Sequence, residues 1–187
     1  MTKISCIFAA LLVLVMSSMA FAQATKPAET MTQALDKSVS GMEGEFVSAA
    51  EAMPAEKFSY APTSGEFKGV RTFEMQVKHV AAVNYMVAAS ILGEKAPVEV
   101  GSENGPDSIK SKADIIKFLK DSFAYVHKAV GTINETNSMG TIKSPFGEGA
   151  TTRLRMAVLL VGHGFDHYGQ MVEYLRMNGI IPPASRQ

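Results

Sequence analysis

A chain of 187 residues, 47% hydrophobic, is long enough for one domain with a sizeable core. Its 18 basic and 18 acidic side chains cancel, which gives no electrostatic case for nucleic acid or an anionic membrane surface as partner. A single cysteine, Cys6, excludes a disulfide framework.

The first segment, "MTKISCIFAALLVLVMSSMAFAQA", has one charge, Lys3, then an apolar run from Ile7 to Met16 and small residues ending in Ala20-Phe21-Ala22. This is the pattern of a secretory signal peptide, cleaved after Ala22. The run falls short of the roughly 20 apolar residues a membrane span needs. Residues 23–187 are then the mature domain, expected in the periplasm or secreted, with no membrane segment. Cys6 leaves with the leader, so no thiolate metal site or cysteine nucleophile is expected.

Four helices follow in chain order. The first spans about Glu29 to Met53, with Met31, Leu35, Val39, Met42, Phe46 and Ala49 spaced by three and four. "MPAEKFSYAPTSGEFKG" breaks it with two prolines and two glycines. The second runs from about Val70 to Leu92 and stops at Gly93 and Pro97. After the loop "APVEVGSENGPDS", Ser111 caps a third helix from Lys112 to about Asn134, striped by Ile116, Leu119, Phe123, Val126, Val130 and Ile133. "ETNSMGTIKSPFGEGA" is a longer loop placed across one end. The fourth helix runs from about Thr151 to Met177 and ends at Asn178-Gly179 before Pro182-Pro183. No strand, repeat or low-complexity segment is expected. Four amphipathic helices of this length predict an all-α four-helix bundle.

The fourth helix contains "VGHGFDHYGQMVEYL", in which His163 and His167 stand four apart on the face of Met156, Leu159, Leu160, Met171 and Tyr174. Two imidazoles turned into a core repel if both are protonated, and each needs a partner. A divalent cation answers both needs, since neutral imidazole is its commonest ligand. Two hydrogen-bonded core histidines are the alternative. On the second helix, His79 shares a face with Met75, Val83 and Met86, away from a charged side formed by Arg71, Glu74 and Lys78. Bundles build metal sites from facing helices. His79, His163 and His167 would supply three nitrogens with an open fourth position, the pattern of a catalytic zinc-type site.

His127, beside Lys128 and off the stripe of the third helix, reads as a boundary residue. Gly164 replaces the general-base Glu of the zinc-protease helix, and no E-x-x-H motif suggests a di-iron site. Asp166 is turned about 100° from His167, so a salt bridge or packing hydrogen bond suits it better than metal ligation. Gly164 and Gly169 either allow close helix packing or clear space beside the rings for a ligand or a homodimer partner.

The stretches "VKHVAAVNYMVAASILG" and "HGFDHYGQMVEYLRMNGIIPP", with "AMPAEKFSYAPTSGEF" between the first two helices, resemble the DinB/YfiT-like family of metal-dependent four-helix proteins. The similarity spans about Glu29 to Pro183. It implies a divalent metal, zinc or nickel, on His79, His163 and His167. It also implies that the metal activates a small-molecule substrate, in some relatives a low-molecular-weight thiol. Tyr168 stands where relatives often carry a basic residue, and the export signal argues against a cytosolic thiol.

Two functions are therefore expected to compete. One is a metal-dependent transferase or hydrolase, with Gln170 orienting a ligand or supporting a ring, Asn84, Tyr85 and Tyr174 as polar lining, and "TNSMGTIKSPFGEG" as the mouth. The other is a non-catalytic metal-binding or dimerising bundle, which the lack of an evident acid or base beside the histidines keeps open.

Overall fold

The structure, a computed structural model, describes residues 27–186. The signal-peptide reading therefore falls outside the described residues. Four helices form the body: α1 (Met31–Ala52), α2 (Phe73–Leu92), α3 (Lys112–Val130) and α4 (Arg153–Met177). The all-α bundle expected from the periodicity is what forms. None of these helices is long and apolar enough to cross a membrane.

Side-chain caps set the helix starts. Thr30, Thr72, Ser111 and Thr152 each accept a hydrogen bond from the backbone N–H three residues on. Each cap is worth about 1 kcal/mol. These caps correct the sequence boundaries. Helix α2 begins at Phe73, not Val70, because Thr72 is its N-cap. Helix α3 ends at Val130, because Gly131 closes it and Asn134 and Asn137 bond to the turn beyond. Gly93, at φ 72°, adopts the left-handed conformation that terminates α2.

Round the bundle, α2 packs against α3 and α4, and α1 packs against the same two helices. Consecutive α1 and α2 are thus diagonal, as are α3 and α4. The long segments 53–72 and 131–152 make these diagonal crossings over the ends. Most of α2 is buried, including His79, Asn84 and Tyr85. The core is filled from all four helices by side chains such as Phe46, Phe73, Leu119, Phe123 and Leu160, each 1% exposed or less.

The expectation of no strand is corrected. Thr141–Lys143 (β1) and Ala150–Thr152 (β2) pair antiparallel, with Ile142 opposite Thr151. Only Ile142 of β1 turns inward, so three residues with one buried position leave no alternation to read. The hairpin closes the N-terminal end of α4, and Ser90 Oγ in the last turn of α2 donates to the Lys143 carbonyl.

His127 is a bridge between helices. Its Nδ1 lies 2.6 Å from Asp36 Oδ1 and its Nε2 2.9 Å from Glu43 Oε2, both on α1. Burial favours the neutral ring, but the two carboxylates outweigh it and raise the pKa above the ordinary histidine value. A raised folded pKa adds stability below about pH 6.5, the unfolded value, and that stability fades as pH rises through the folded one. His127→Asn should therefore cost more at pH 5.5 than at pH 9 in urea titrations. The difference is about 1 kcal/mol or less, because solvent screens the half-exposed Asp36. A cost that grows with pH would refute this role.

Candidate metal centre

The bundle brings together the three histidines singled out by the sequence. One ligand atom from each of His79, His163 and His167 lies within 4.8 Å of the others. Ring centroids are 5.0 Å apart for His79–His163, 4.7 Å for His79–His167 and 4.5 Å for His163–His167. No other such group of His, Cys, Asp or Glu occurs among the described residues. The i, i+4 spacing on α4 sets the pair side by side, and α2 supplies the third ring from across the interface.

The outer nitrogens are held selectively. His79 Nδ1 faces the backbone carbonyl of Glu103. A carbonyl only accepts, so Nδ1 carries the proton and Nε2 is left as a lone pair. His167 Nδ1 lies 2.6 Å from Gln76 Oε1, and Gln76 Nε2 donates to Gln170 Oε1 at 2.8 Å. Gln170 Nε2 reaches Asp166 Oδ2 at 3.5 Å. That run of donors leads outward from His167 to an exposed carboxylate and also frees Nε2 inward. Such outer partners orient metal-binding imidazoles and make them better donors.

His163 is different. Its Nε2 stands 3.1 Å from His79 Nε2, and its buried Nδ1 has no hydrogen-bond partner. Since His79 Nε2 is unprotonated, the contact is satisfied by a proton on His163 Nε2 or by a cation between the rings. Two nitrogens each about 2.0–2.1 Å from one tetrahedral ion stand about 3.3–3.4 Å apart, close to the observed spacing. The donors thus fit a divalent ion.

Electrostatics favour the same state. Burial, then the charges His79 and Arg71 would present, lower the His163 pKa to about 4. Burial, then its two histidine neighbours, lower that of His167 to about 3. Burial also lowers His79 despite the Glu103 carbonyl. All three rings are neutral near pH 7, the state a metal requires.

The remaining sequence candidates divide. Gln170 belongs to the site, one step removed: Gln76, which the sequence reading missed, holds the ring. Gln76 is 1% exposed and lies one turn before His79, so the i, i+3 relation was the available signal. Tyr174 Oη donates to the Arg71 carbonyl at 3.0 Å, and its ring meets Tyr60 edge-on. It braces the chain beside the site. Asn84 and Tyr85 point elsewhere. Asn84 Nδ2 donates to Ser122 on α3, and Tyr85 packs on Phe118 and Tyr125 of α3. The helix turns these two toward α3 while His79 faces α4.

The mouth is also corrected. The 136–149 loop packs at the far end of α2, where a cleft of about 940 Å³ is lined by Met86, Ser90, Ile142 and Pro145. Ser90 lies eleven residues beyond His79, about 16 Å along the helix, so that cleft does not serve the histidines. The segment that covers them is 93–111, through Glu103 and Asn104. Arg71, read as part of the charged side of α2, belongs here too. It precedes the N-cap, and its guanidinium binds Asn104 Oδ1 at 2.8 Å and Glu103 Oε2 at 3.3 Å.

The glycines separate as well. A Cβ on Gly164 would meet Met42 of α1, with Cγ and Cε at 2.8 Å, whereas Gly162 and Gly169 face open space. Gly164 therefore serves the close approach of α1 and α4, not a cavity beside the rings.

The family model of the DinB superfamily matches residues 40–171. The structure resembles that of a DinB-like protein from Bacillus cereus ATCC 10987, with a TM-score of 0.67 and 15% identity over 82% of this chain and 96% of that one. A conserved protein from Enterococcus faecalis is similar at a TM-score of 0.63 and 15% identity, over 80% of this chain and 98% of that one. No functionally curated protein matches the chain.

Proposed function

The chain belongs to the DinB superfamily, and from that premise we propose that it is an exported metal-dependent enzyme acting on a small molecule, of thiol-transferase or hydrolase type. The observation that carries the reading is the convergence of three neutral imidazoles, two of them with their outer nitrogens held so that Nε2 faces its neighbours. His79, His163 and His167 would hold the ion, zinc or nickel by the preference of imidazole donors. When bound, such an ion supplies a Lewis acid that makes a thiol or water nucleophilic near neutral pH. The protein's own part is positional. Gln76, backed by Gln170, fixes the plane of His167. The Glu103 carbonyl fixes His79. Arg71 and Asn104 tie the covering segment down over the rings.

The test is activity of the mature chain reconstituted with zinc or nickel, against thiol-transfer and ester or amide hydrolysis substrates. Turnover should appear with metal, vanish on chelation and return on reloading. Turnover that survives chelation would contradict the reading. A fully loaded protein inert to every substrate would favour the second one, a non-catalytic metal-binding module. That reading draws on one feature: the histidine group contains no carboxylate to act as acid or base.

A further inference from the structure

Beside the histidines lies a second cavity, of about 290 Å³, lined by Gly69, Arg71, Met75, Gln76, Asn104 and Gln170. Gln76 and Gln170 are the amides that support His167, so the cavity and the histidine group share a wall. Its lining offers three neutral amides and one charge, the Arg71 guanidinium. That charge is incompletely used. Arg71 is 30% exposed, and its carboxylate partner Glu103 is 86% exposed at 3.3 Å. An ion pair so open to water contributes little and is readily exchanged. Asn104 takes Nε, leaving further guanidinium donors of the five such a group carries.

The charge count around the site points the same way. Three neutral imidazoles leave the charge of a divalent ion uncompensated, and Arg71 adds another positive charge. The carboxylates nearby, Asp166 and Glu103, are both exposed at the rim. A cationic ligand would be repelled. The cavity sits at the small end of the range for ligand pockets and is lined largely by amides, which suits neither a bulky nor an apolar guest.

We propose that this cavity binds the carboxylate of a small anionic substrate, with Arg71 as its bidentate partner, displacing Glu103 and directing the substrate's other end toward the histidines. Guanidinium and carboxylate match as two parallel hydrogen bonds, a fit that lysine cannot offer. The proposal names the substrate class of the metal site and rests on that reading for the orientation of the molecule. The carboxylate contact itself does not require the metal.

The test compares 3-mercaptopropionate with 2-mercaptoethanol, a thiol that lacks the carboxylate, on cobalt-loaded protein, following the thiolate-to-cobalt absorption. The acid should bind at least about tenfold tighter, the order expected from one charge-assisted pair. In Arg71→Gln the preference should fall to about twofold or less, read as the ratio of the two thiols on the same cobalt-loaded variant, so that any loosening of the covering segment affects both alike. In Glu103→Gln, which keeps the backbone carbonyl on His79 and frees the guanidinium, the acid should bind severalfold tighter. Equal binding of the two thiols by the wild type, or a preference that persists in Arg71→Gln, would overturn the proposal. Should Arg71→Gln not fold, Glu103→Gln decides: unchanged or weaker binding of the acid refutes it. A protein that takes up no cobalt fails the metal reading instead. Calorimetry of 3-mercaptopropionate with the metal-free chain then tests the carboxylate contact: weak binding that tightens in Glu103→Gln supports it, and no binding refutes it.

Discussion

Alanine at His167 is expected to weaken divalent-ion binding roughly a hundred- to a thousandfold. Structural zinc sites with four ligands bind with about 10–16 kcal/mol, so one ligand carries roughly 2.5–4 kcal/mol, or about two to three decades in affinity. His163→Ala should do the same. Gln76→Leu leaves all three ligands in place and removes the acceptor of His167 Nδ1 together with the donor to Gln170. Its loss should be smaller, about 10–100-fold. His127→Ala should change nothing, since that ring is engaged by Asp36 and Glu43 on α1. Competition titrations against a chromophoric chelator rank the four variants. A histidine in the group that can be removed without loss would contradict the assignment, and so would an effect at His127 equal to that at His167. The gradation matters as much as the loss, because general damage to the fold would not place Gln76 between the ligands and the control.

Valine at Gly164 is expected to destabilise the bundle by about 2–3 kcal/mol, the cost of overpacking a filled core. Met42 is fully buried, so it has little room to yield to a branched side chain. Alanine at Gly162, two residues away and facing open space, should instead stabilise by roughly 0.5–1 kcal/mol through helix propensity. The sign thus reverses between two glycines of one short stretch. Met42→Ala alone should cost about 2–5 kcal/mol, and combined with Gly164→Val it should cost less than the two changes added, because the valine fills the space vacated. Denaturant unfolding of the four variants measures this coupling. Strict additivity would show that the two side chains do not share one volume.

How much of this was legible in the sequence depends on what each residue's position is fixed by. His163 and His167 were readable because a helix alone sets their relation, and Met156, Leu160 and Met171 marked the buried face. His79 was readable because its face lay opposite Glu74 and Lys78. Gln76 was missed although the same helical geometry places it one turn from His79 on the buried part of the helix. Asn84 and Tyr85 were misplaced for a different reason. Helix α2 is buried nearly all round, so its pattern shows that a side chain is inside without showing which neighbour it meets. Arg71 was misread by a boundary shift of three residues. Once Thr72 caps the helix, Arg71 has no helical direction, and its side chain turns to the covering segment. Glu103 lies 24 residues from the ring its carbonyl holds, and a backbone contact of that kind leaves no mark in residue type. The hairpin of β1 and β2 is too short to show alternation. Capping, periodicity and turn chemistry are local and were legible; the choice among facing helices and the fold of the loops depend on tertiary contacts.

X-ray absorption at the zinc edge of the zinc-loaded mature protein tests the central claim most directly, because imidazole rings give a distinctive multiple-scattering pattern. The account predicts one zinc per chain with three histidine nitrogens at about 2.0–2.1 Å, falling to two in His79→Ala. A shell of oxygen donors, fewer than three imidazoles in the wild type, or a protein that retains no zinc would contradict it.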